Sequence, residues 1–86
     1  MTDEIQKTIL IIDDEVLIRE SYSDYLEDRN FQILTAENGR IGLEILEQEK
    51  PDLVLTDLRM PEVNGLEVLQ KAQEIAPDTP LIVISG

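Results

Sequence analysis

Four short apolar runs divide the chain into a repeating pattern of strands. Three of them are almost continuously apolar, which is typical of strands covered on both faces of a parallel sheet. The remaining run carries Gln32 and Thr35 and is more typical of an edge strand. In chain order the four predicted strands are Thr8–Ile12, Phe31–Ala36, Leu53–Asp57 and Leu81–Ile84.

The segments between these runs have the spacing of amphipathic helices, with apolar residues three to four positions apart. The first helix is expected to use Ile18, Tyr22, Tyr25 and Leu26 as its apolar side. We interpret Tyr22 and Tyr25 as core and rim residues. The three predicted helices are Val16–Arg29, Arg40–Lys50 and Leu66–Ala76.

Turn-forming residues mark the helix ends. Asn30 can take a left-handed conformation after the first helix, in place of glycine. Asn38 and Gly39 turn the chain, and Asn38 can cap the second helix. Gly42 lies in the first turn of that helix, where glycine costs about 1 kcal/mol relative to alanine. Close packing of the helix on the sheet is one reason for glycine there.

The order βαβαβαβ predicts an α/β fold: a flavodoxin-like, doubly wound parallel sheet with right-handed crossovers and strand order 2-1-3-4. In this order the first and third strands are neighbours at the switch point, where such sheets bind ligands. The fourth strand would be left as a bare hydrophobic edge, which favours pairing with another chain. We therefore expect residues 1–86 to form a single, incomplete domain.

Acidic residues follow the two strands that meet at the switch point. Asp13, Asp14 and Glu15 follow the first strand, and Asp57 ends the third. Carboxylates a few ångströms apart repel by roughly 4 kcal/mol per pair at an effective dielectric constant of 20. Either a proton or a cation must relieve this repulsion. The chain has no histidine or cysteine, so a hard, oxygen-ligated ion such as Mg²⁺, or alternatively Mn²⁺, fits best.

Composition narrows the functional classes. The 86 residues carry 19 acids and 7 bases, a net charge of −12, which argues against direct nucleic-acid binding. Without cysteine and histidine, disulfides, thiolate metal sites, histidine catalysis and most zinc sites are excluded. No apolar run is long enough to span a membrane, and Met1–Lys7 is too polar for a signal peptide. The simplest localisation is cytoplasmic.

Three motifs together resemble the receiver domain of two-component response regulators. They are IIDDE at 11–15, DLRMP at 57–61 followed by Asn64-Gly65, and VISG at 83–86. Each motif alone is weak, but their order and separations match the family over nearly the whole chain. The resemblance implies a phosphoprotein of a phosphorelay, which accepts a phosphoryl group from a histidine kinase or phosphotransfer protein.

The resemblance also implies residue roles. Asp57 would accept the phosphoryl group, and Asp14 would ligate Mg²⁺, assisted by Asp13 and Asp57 itself. The backbone carbonyl of Arg59 would be another ligand, and the Ser85 hydroxyl would bind a phosphoryl oxygen. Receiver domains promote their own phosphorylation and dephosphorylation without being conventional enzymes.

The chain departs from the family pattern at its carboxyl side. A complete receiver continues through another helix, a fifth strand with a lysine, and a last helix. Lys7, Lys50 and Lys71 cannot replace that lysine, because the first two precede strands and the third is mid-helix. We therefore expect most of the metal site to be present and phosphorylation to be impaired.

Two other functions remain open at this stage. The chain could be a structural fragment that self-associates through its fourth strand and has no chemistry of its own. It could also be a Mg²⁺-dependent phosphohydrolase of another α/β family with an aspartyl nucleophile. Such enzymes need a general acid two residues after the nucleophile, and that position is Arg59.

Overall fold

The computed structural model of the chain describes residues 6–57, residue 60 and residues 65–84. Strands and helices alternate in the predicted order, and helix ends differ from prediction by one or two residues. None of the described helices is long and apolar enough to cross a membrane. The elements are β1 (Thr8–Ile12), α1 (Val16–Glu27), β2 (Gln32–Ala36), α2 (Gly39–Glu49), β3 (Leu53–Asp57), α3 (Gly65–Ile75) and β4 (Leu81–Ile84).

The strands form one parallel sheet in the order β2-β1-β3-β4. This confirms the predicted flavodoxin-like topology, with the more polar β2 at an edge and β1 inside. Ile12, the last residue of β1, is in register with Ala36 of β2 and with Thr56 of β3. The three strands therefore end at the same level, and the residues that follow them emerge at one edge of the sheet.

The hydrophobic core lies between one face of the sheet and helices α2 and α3. Leu10 and Ile12 of β1 contribute to it, together with Leu46 of α2 and Val68 of α3, each at most 2% exposed. Successive residues of a strand point to opposite faces, so Ile9 and Ile11 belong to the other face. Helix α1 contacts β1 and β2 and has no residue in the core cluster, and it therefore covers that second face.

Helix α1 is less buried than its periodicity predicts. None of its residues is fully buried, and the Tyr25 side chain is 55% exposed. The Arg29 guanidinium stacks on the Tyr25 ring, 3.8 Å from its centroid. The structure therefore places Tyr25 at the rim, as one part of our interpretation had it, and not in the core. The physical reason is that α1 is the one described helix on its side of the sheet.

The edge strand β4 exposes apolar side chains, as its sequence predicts. Ile82 is 50% exposed and Val83 is 36% exposed among the described residues. Both lie beside β3, the strand with which β4 pairs. Within the described part of the chain, this edge is the most apolar part of the sheet left uncovered.

The ends of the helices follow the predicted turn chemistry with one addition. The Asn38 side chain accepts a hydrogen bond of 2.8 Å from the backbone N–H of Ile41 and so caps α2. Asn30 has the predicted left-handed conformation, with φ 69°. Lys50 at the end of α2 is also left-handed, with φ 50°, although no sequence signal indicated it. Its backbone N–H is bonded to the Leu46 carbonyl.

Gly42 lets α2 approach β1 closely. A β-carbon added to Gly42 would lie against the side chain of Ile12, 2.7 Å from its Cγ1 and closer still to its Cδ1. Ile12 is 1% exposed, so its side chain has little room to move aside. The low helix propensity of glycine is thus offset by tight packing of the helix on the sheet.

We expect Gly42→Ala to destabilise the chain by about 1 kcal/mol, because strain from overpacking exceeds the gain in helix propensity. Urea denaturation measures the change. In a double-mutant cycle, Ile12→Val should cost less in the Gly42→Ala background than alone, because valine lacks the nearest clashing atom. Additive effects of the two substitutions would contradict this explanation.

Candidate metal centre

The register of β1 and β3 determines where the acidic side chains lie. Ile12 pairs with Thr56, so Asp13 and Asp57 each follow a paired residue on adjacent strands. Asp14 comes next, in the short connection between β1 and α1. Parallel pairing therefore brings residues 13 and 57, which are far apart in sequence, to the same edge of the sheet.

The three aspartates form a compact cluster. Asp13, Asp14 and Asp57 each offer a carboxylate oxygen, and these oxygens all lie within 4.8 Å of one another. Asp13 is buried at 6% exposure, Asp57 is partly buried and Asp14 is exposed. The cluster thus reaches from the interior of the sheet edge to its surface.

Asp13 is held by hydrogen bonds at three of its polar groups. Its backbone N–H donates to the carbonyl of Ala36 on β2 at 3.1 Å. Its carboxylate Oδ1 accepts from the backbone N–H of Glu15 at 2.9 Å. Its backbone carbonyl accepts from the guanidinium of Arg19 at 2.7 Å. These hydrogen bonds therefore hold Asp13 in place at the start of the turn that leads from β1 into α1.

Burial is the main reason why the pKa of Asp13 is raised above its ordinary value. The hydrogen bond from the Glu15 N–H acts in the opposite direction, and the charges of Asp57, Asp14 and Glu15 raise the pKa further. The ionised form of Asp13 is thus destabilised in the folded chain. A cation among the three carboxylates would remove this penalty.

The donor set of the cluster suits a hard divalent cation. All three ligand candidates are carboxylates, and Mg²⁺ prefers oxygen ligands in a small octahedral shell that it shares with water. Oδ1 of Asp13 already accepts a hydrogen bond, which makes its other oxygen the better ligand. The residues present therefore fit Mg²⁺ or Mn²⁺.

Two predicted site residues, Arg59 and Ser85, lie outside the described residues, as does Gly86. Met60 is described and is 9% exposed. At the opposite edge of the sheet, Asp52 precedes β3 and its carboxylate accepts from the Thr8 N–H at 2.8 Å. Asp52 thus has a structural role that separates it from the acidic cluster.

Sequence reasoning did not single out Arg19. It lies on α1, one turn after the acidic run, and its side chain reaches back to the Asp13 carbonyl. The one feature of the sequence that could have indicated this contact is a basic residue one helical turn after the acids that follow a strand. That spacing is also common for exposed helix residues, so it does not identify the contact by itself.

The geometry agrees with what comparison with known proteins finds. The family model described as the response regulator receiver domain matches residues 9–86. The chain therefore belongs to the response regulator receiver domain family.

Curated relatives carry this domain within longer proteins. The chain is 37% identical over 84 residues to the phosphate regulon transcriptional regulatory protein PhoB of Pseudomonas aeruginosa, covering 95% of this chain and 37% of PhoB. It is 35% identical over 79 residues to the autoinducer 1 sensor kinase/phosphatase LuxN of Vibrio campbellii, covering 92% of this chain and 9% of LuxN. The chain thus spans a minor part of these relatives.

Solved receiver structures have the same fold. A receiver domain protein from Methanospirillum hungatei superposes with a TM-score of 0.93 at 33% identity, covering 95% of this chain and 66% of that chain. A receiver domain protein from Clostridium thermocellum gives 0.89 at 33% identity, covering 93% of this chain and 65% of that chain. This chain accordingly spans about two thirds of each solved structure.

Removing the charge of Asp13 should stabilise the metal-free chain at neutral pH. A raised folded-state pKa means that stability is highest below the unfolded-state pKa and falls as pH rises through the folded-state value. Asn at this position keeps an oxygen that can accept from Glu15. We expect Asp13→Asn to raise the free energy of unfolding at neutral pH in EDTA. This advantage should shrink as pH falls through the pKa of Asp13, as measured by urea denaturation.

The matched control is Asp24→Asn, which removes an exposed acid from α1. This variant tests whether the removal of any acid stabilises the fold by reducing the net negative charge, which is −12 in the unsubstituted chain. An equal gain for Asp24→Asn, or a loss of stability for Asp13→Asn at neutral pH, would contradict the burial argument.

Proposed function

We propose that the chain is a phospho-acceptor signalling module. Asp57 receives a phosphoryl group from a sensor histidine kinase or a phosphotransfer protein, and Asp14, Asp13 and Asp57 hold Mg²⁺ or Mn²⁺. The observation that carries the proposal is the meeting of three carboxylates at the carboxyl edge of β1 and β3. Membership of the receiver family supports the same assignment.

Asp57 is the best placed of the three carboxylates to act as the nucleophile. Asp13 is buried and uses one carboxylate oxygen to accept from Glu15, and Asp14 is exposed. Asp57 lies between these extremes, on the last residue of a central strand. Its carboxylate oxygen would form a bond to phosphorus as the bond between phosphorus and the donor's histidine nitrogen breaks, which gives an acyl phosphate.

The bound cation would offset negative charge on the carboxylates and on the phosphoryl oxygens. Asp14 would bind it from the exposed side and Asp13 from the buried side. The backbone carbonyl of Arg59 completes the proposed protein ligands. The Ser85 hydroxyl follows β4, the neighbour of β3, and is proposed to donate to a phosphoryl oxygen.

Among the described residues, no lysine lies at this edge of the sheet. Lys7 precedes β1 and Lys50 precedes β3, so both lie at the amino edge, and Lys71 lies within α3. Transfer of a phosphoryl group benefits from positively charged groups that stabilise its developing charge. We therefore propose that residues 1–86 accept a phosphoryl group inefficiently.

The two alternative functions have less support. Self-association rests on the exposed side chains of Ile82 and Val83 in β4. Their exposure alone is no evidence that β4 pairs with a second copy of the chain. A phosphohydrolase of another α/β family would require a general acid at position 59, where arginine stands. The receiver family match favours neither of them.

Acetyl phosphate with Mg²⁺ should add one phosphoryl group to a fraction of the chain, and Asp57→Asn should abolish the addition because the nucleophile is lost. Intact-mass spectrometry at low temperature measures the modified fraction. The matched control is Asp52→Asn, which alters the aspartate before the same strand. It should leave the modified fraction unchanged. Modification that persists in Asp57→Asn would assign the acceptor elsewhere.

A further inference from the structure

Arg19 connects the start of α1 to the end of β1. Its Nη1 donates to the backbone carbonyl of Asp13 at 2.7 Å. Its own backbone N–H donates to the Glu15 carbonyl at 3.1 Å, as one of the first hydrogen bonds of the helix. The side chain therefore spans the turn that carries Asp13, Asp14 and Glu15, and its half-buried position is that of a packed rather than a solvated arginine.

This contact completes the fixation of Asp13. The Asp13 N–H is anchored to Ala36 on one side, and the Asp13 carbonyl is anchored to Arg19 on the other. Rotation of the peptide plane between Asp13 and Asp14 would move both carboxylates relative to Asp57. A charge-assisted hydrogen bond to that carbonyl restricts this rotation.

The charge of Arg19 alone would have the opposite effect on cation binding. Among the described residues, Arg19 makes no ion pair within 4.0 Å, and its side chain donates to a neutral carbonyl. A guanidinium close to the cluster repels a divalent cation. Removing it would strengthen cation binding if charge decided the outcome, and weaken it if geometry did. The sign of the change separates the two effects.

We propose that Arg19 is a positioning residue for divalent-cation binding, which acts by holding the Asp13 carbonyl so that the carboxylates of Asp13 and Asp14 stay aligned with Asp57. The inference rests on the proposed metal centre and deepens it. Groups that orient metal ligands commonly change affinity by about tenfold when they are removed.

The experiment measures Mg²⁺ affinity of the 86-residue chain by following backbone amide NMR shifts in a titration with the metal alone. Arg19→Met keeps the length of the side chain but removes its donors and charge, and affinity should fall by about tenfold. Arg19→Lys retains a donor and the charge, and should recover most of that loss. Arg29→Met removes the same charge just beyond the carboxyl end of α1 and should leave affinity unchanged within about twofold.

Unchanged or tighter binding by Arg19→Met would overturn the positioning role. Asp14→Asn tests the metal centre separately, because loss of a ligand should weaken binding whatever Arg19 does. If Asp14→Asn has no effect, the metal centre itself is wrong and the inference falls with it. If Asp14→Asn weakens binding and Arg19→Met does not, only the role of Arg19 is wrong.

A second measurement covers the case in which Arg19→Met does not fold. In the unsubstituted chain, the Arg19 guanidinium protons should give resolved NMR signals with slow exchange, because one Nη is bonded to the Asp13 carbonyl. Arg40, whose side chain is 63% exposed, provides the reference for a largely solvated guanidinium. Exchange at Arg19 as fast as at Arg40 would overturn the inference without any variant.

Discussion

The parallel register of β1 and β3 is the constraint on which the rest of the site depends. Pairing of Ile12 with Thr56 determines that the residues that follow them leave the sheet side by side. Because side chains alternate between faces, a shift of one residue would turn the residues that pack in the core to the opposite face of the sheet. Burial of Leu10, Ile12 and Val54 therefore also determines which acids meet. The packing of the core and the geometry of the acidic cluster thus depend on the same strand register.

The acidic cluster carries a local cost in stability. A strand end that packed only for stability would not place three carboxylates within 4.8 Å, since each ionised pair is repulsive. The chain accepts this cost where Asp13 is buried, and the hydrogen bond from the Glu15 N–H to the Asp13 carboxylate offsets part of it. Conflicts of this kind between local preference and global fold are expected at functional sites.

Strands and strand order were predictable from sequence because each strand is a continuous apolar run bounded by turn residues. The acidic cluster was predictable too, since the 2-1-3-4 order places the ends of β1 and β3 together. The burial of α1 was not, because periodicity shows which side of a helix is apolar but not what covers it. The left-handed Lys50 and the contact of Arg19 with Asp13 depend on tertiary context, which a single sequence does not encode locally.

The packing of α1 has a consequence for the persistence of the site. No residue of this helix is fully buried, so it is the described helix most easily detached by local opening. The same helix supplies the guanidinium that fixes the Asp13 carbonyl. Each excursion of α1 from the sheet would release one of the anchors of the β1 terminus while the central strands stay intact. With the positioning role that we propose for Arg19, the alignment of the acidic cluster would depend on the docking of a peripheral helix and not only on the central strands.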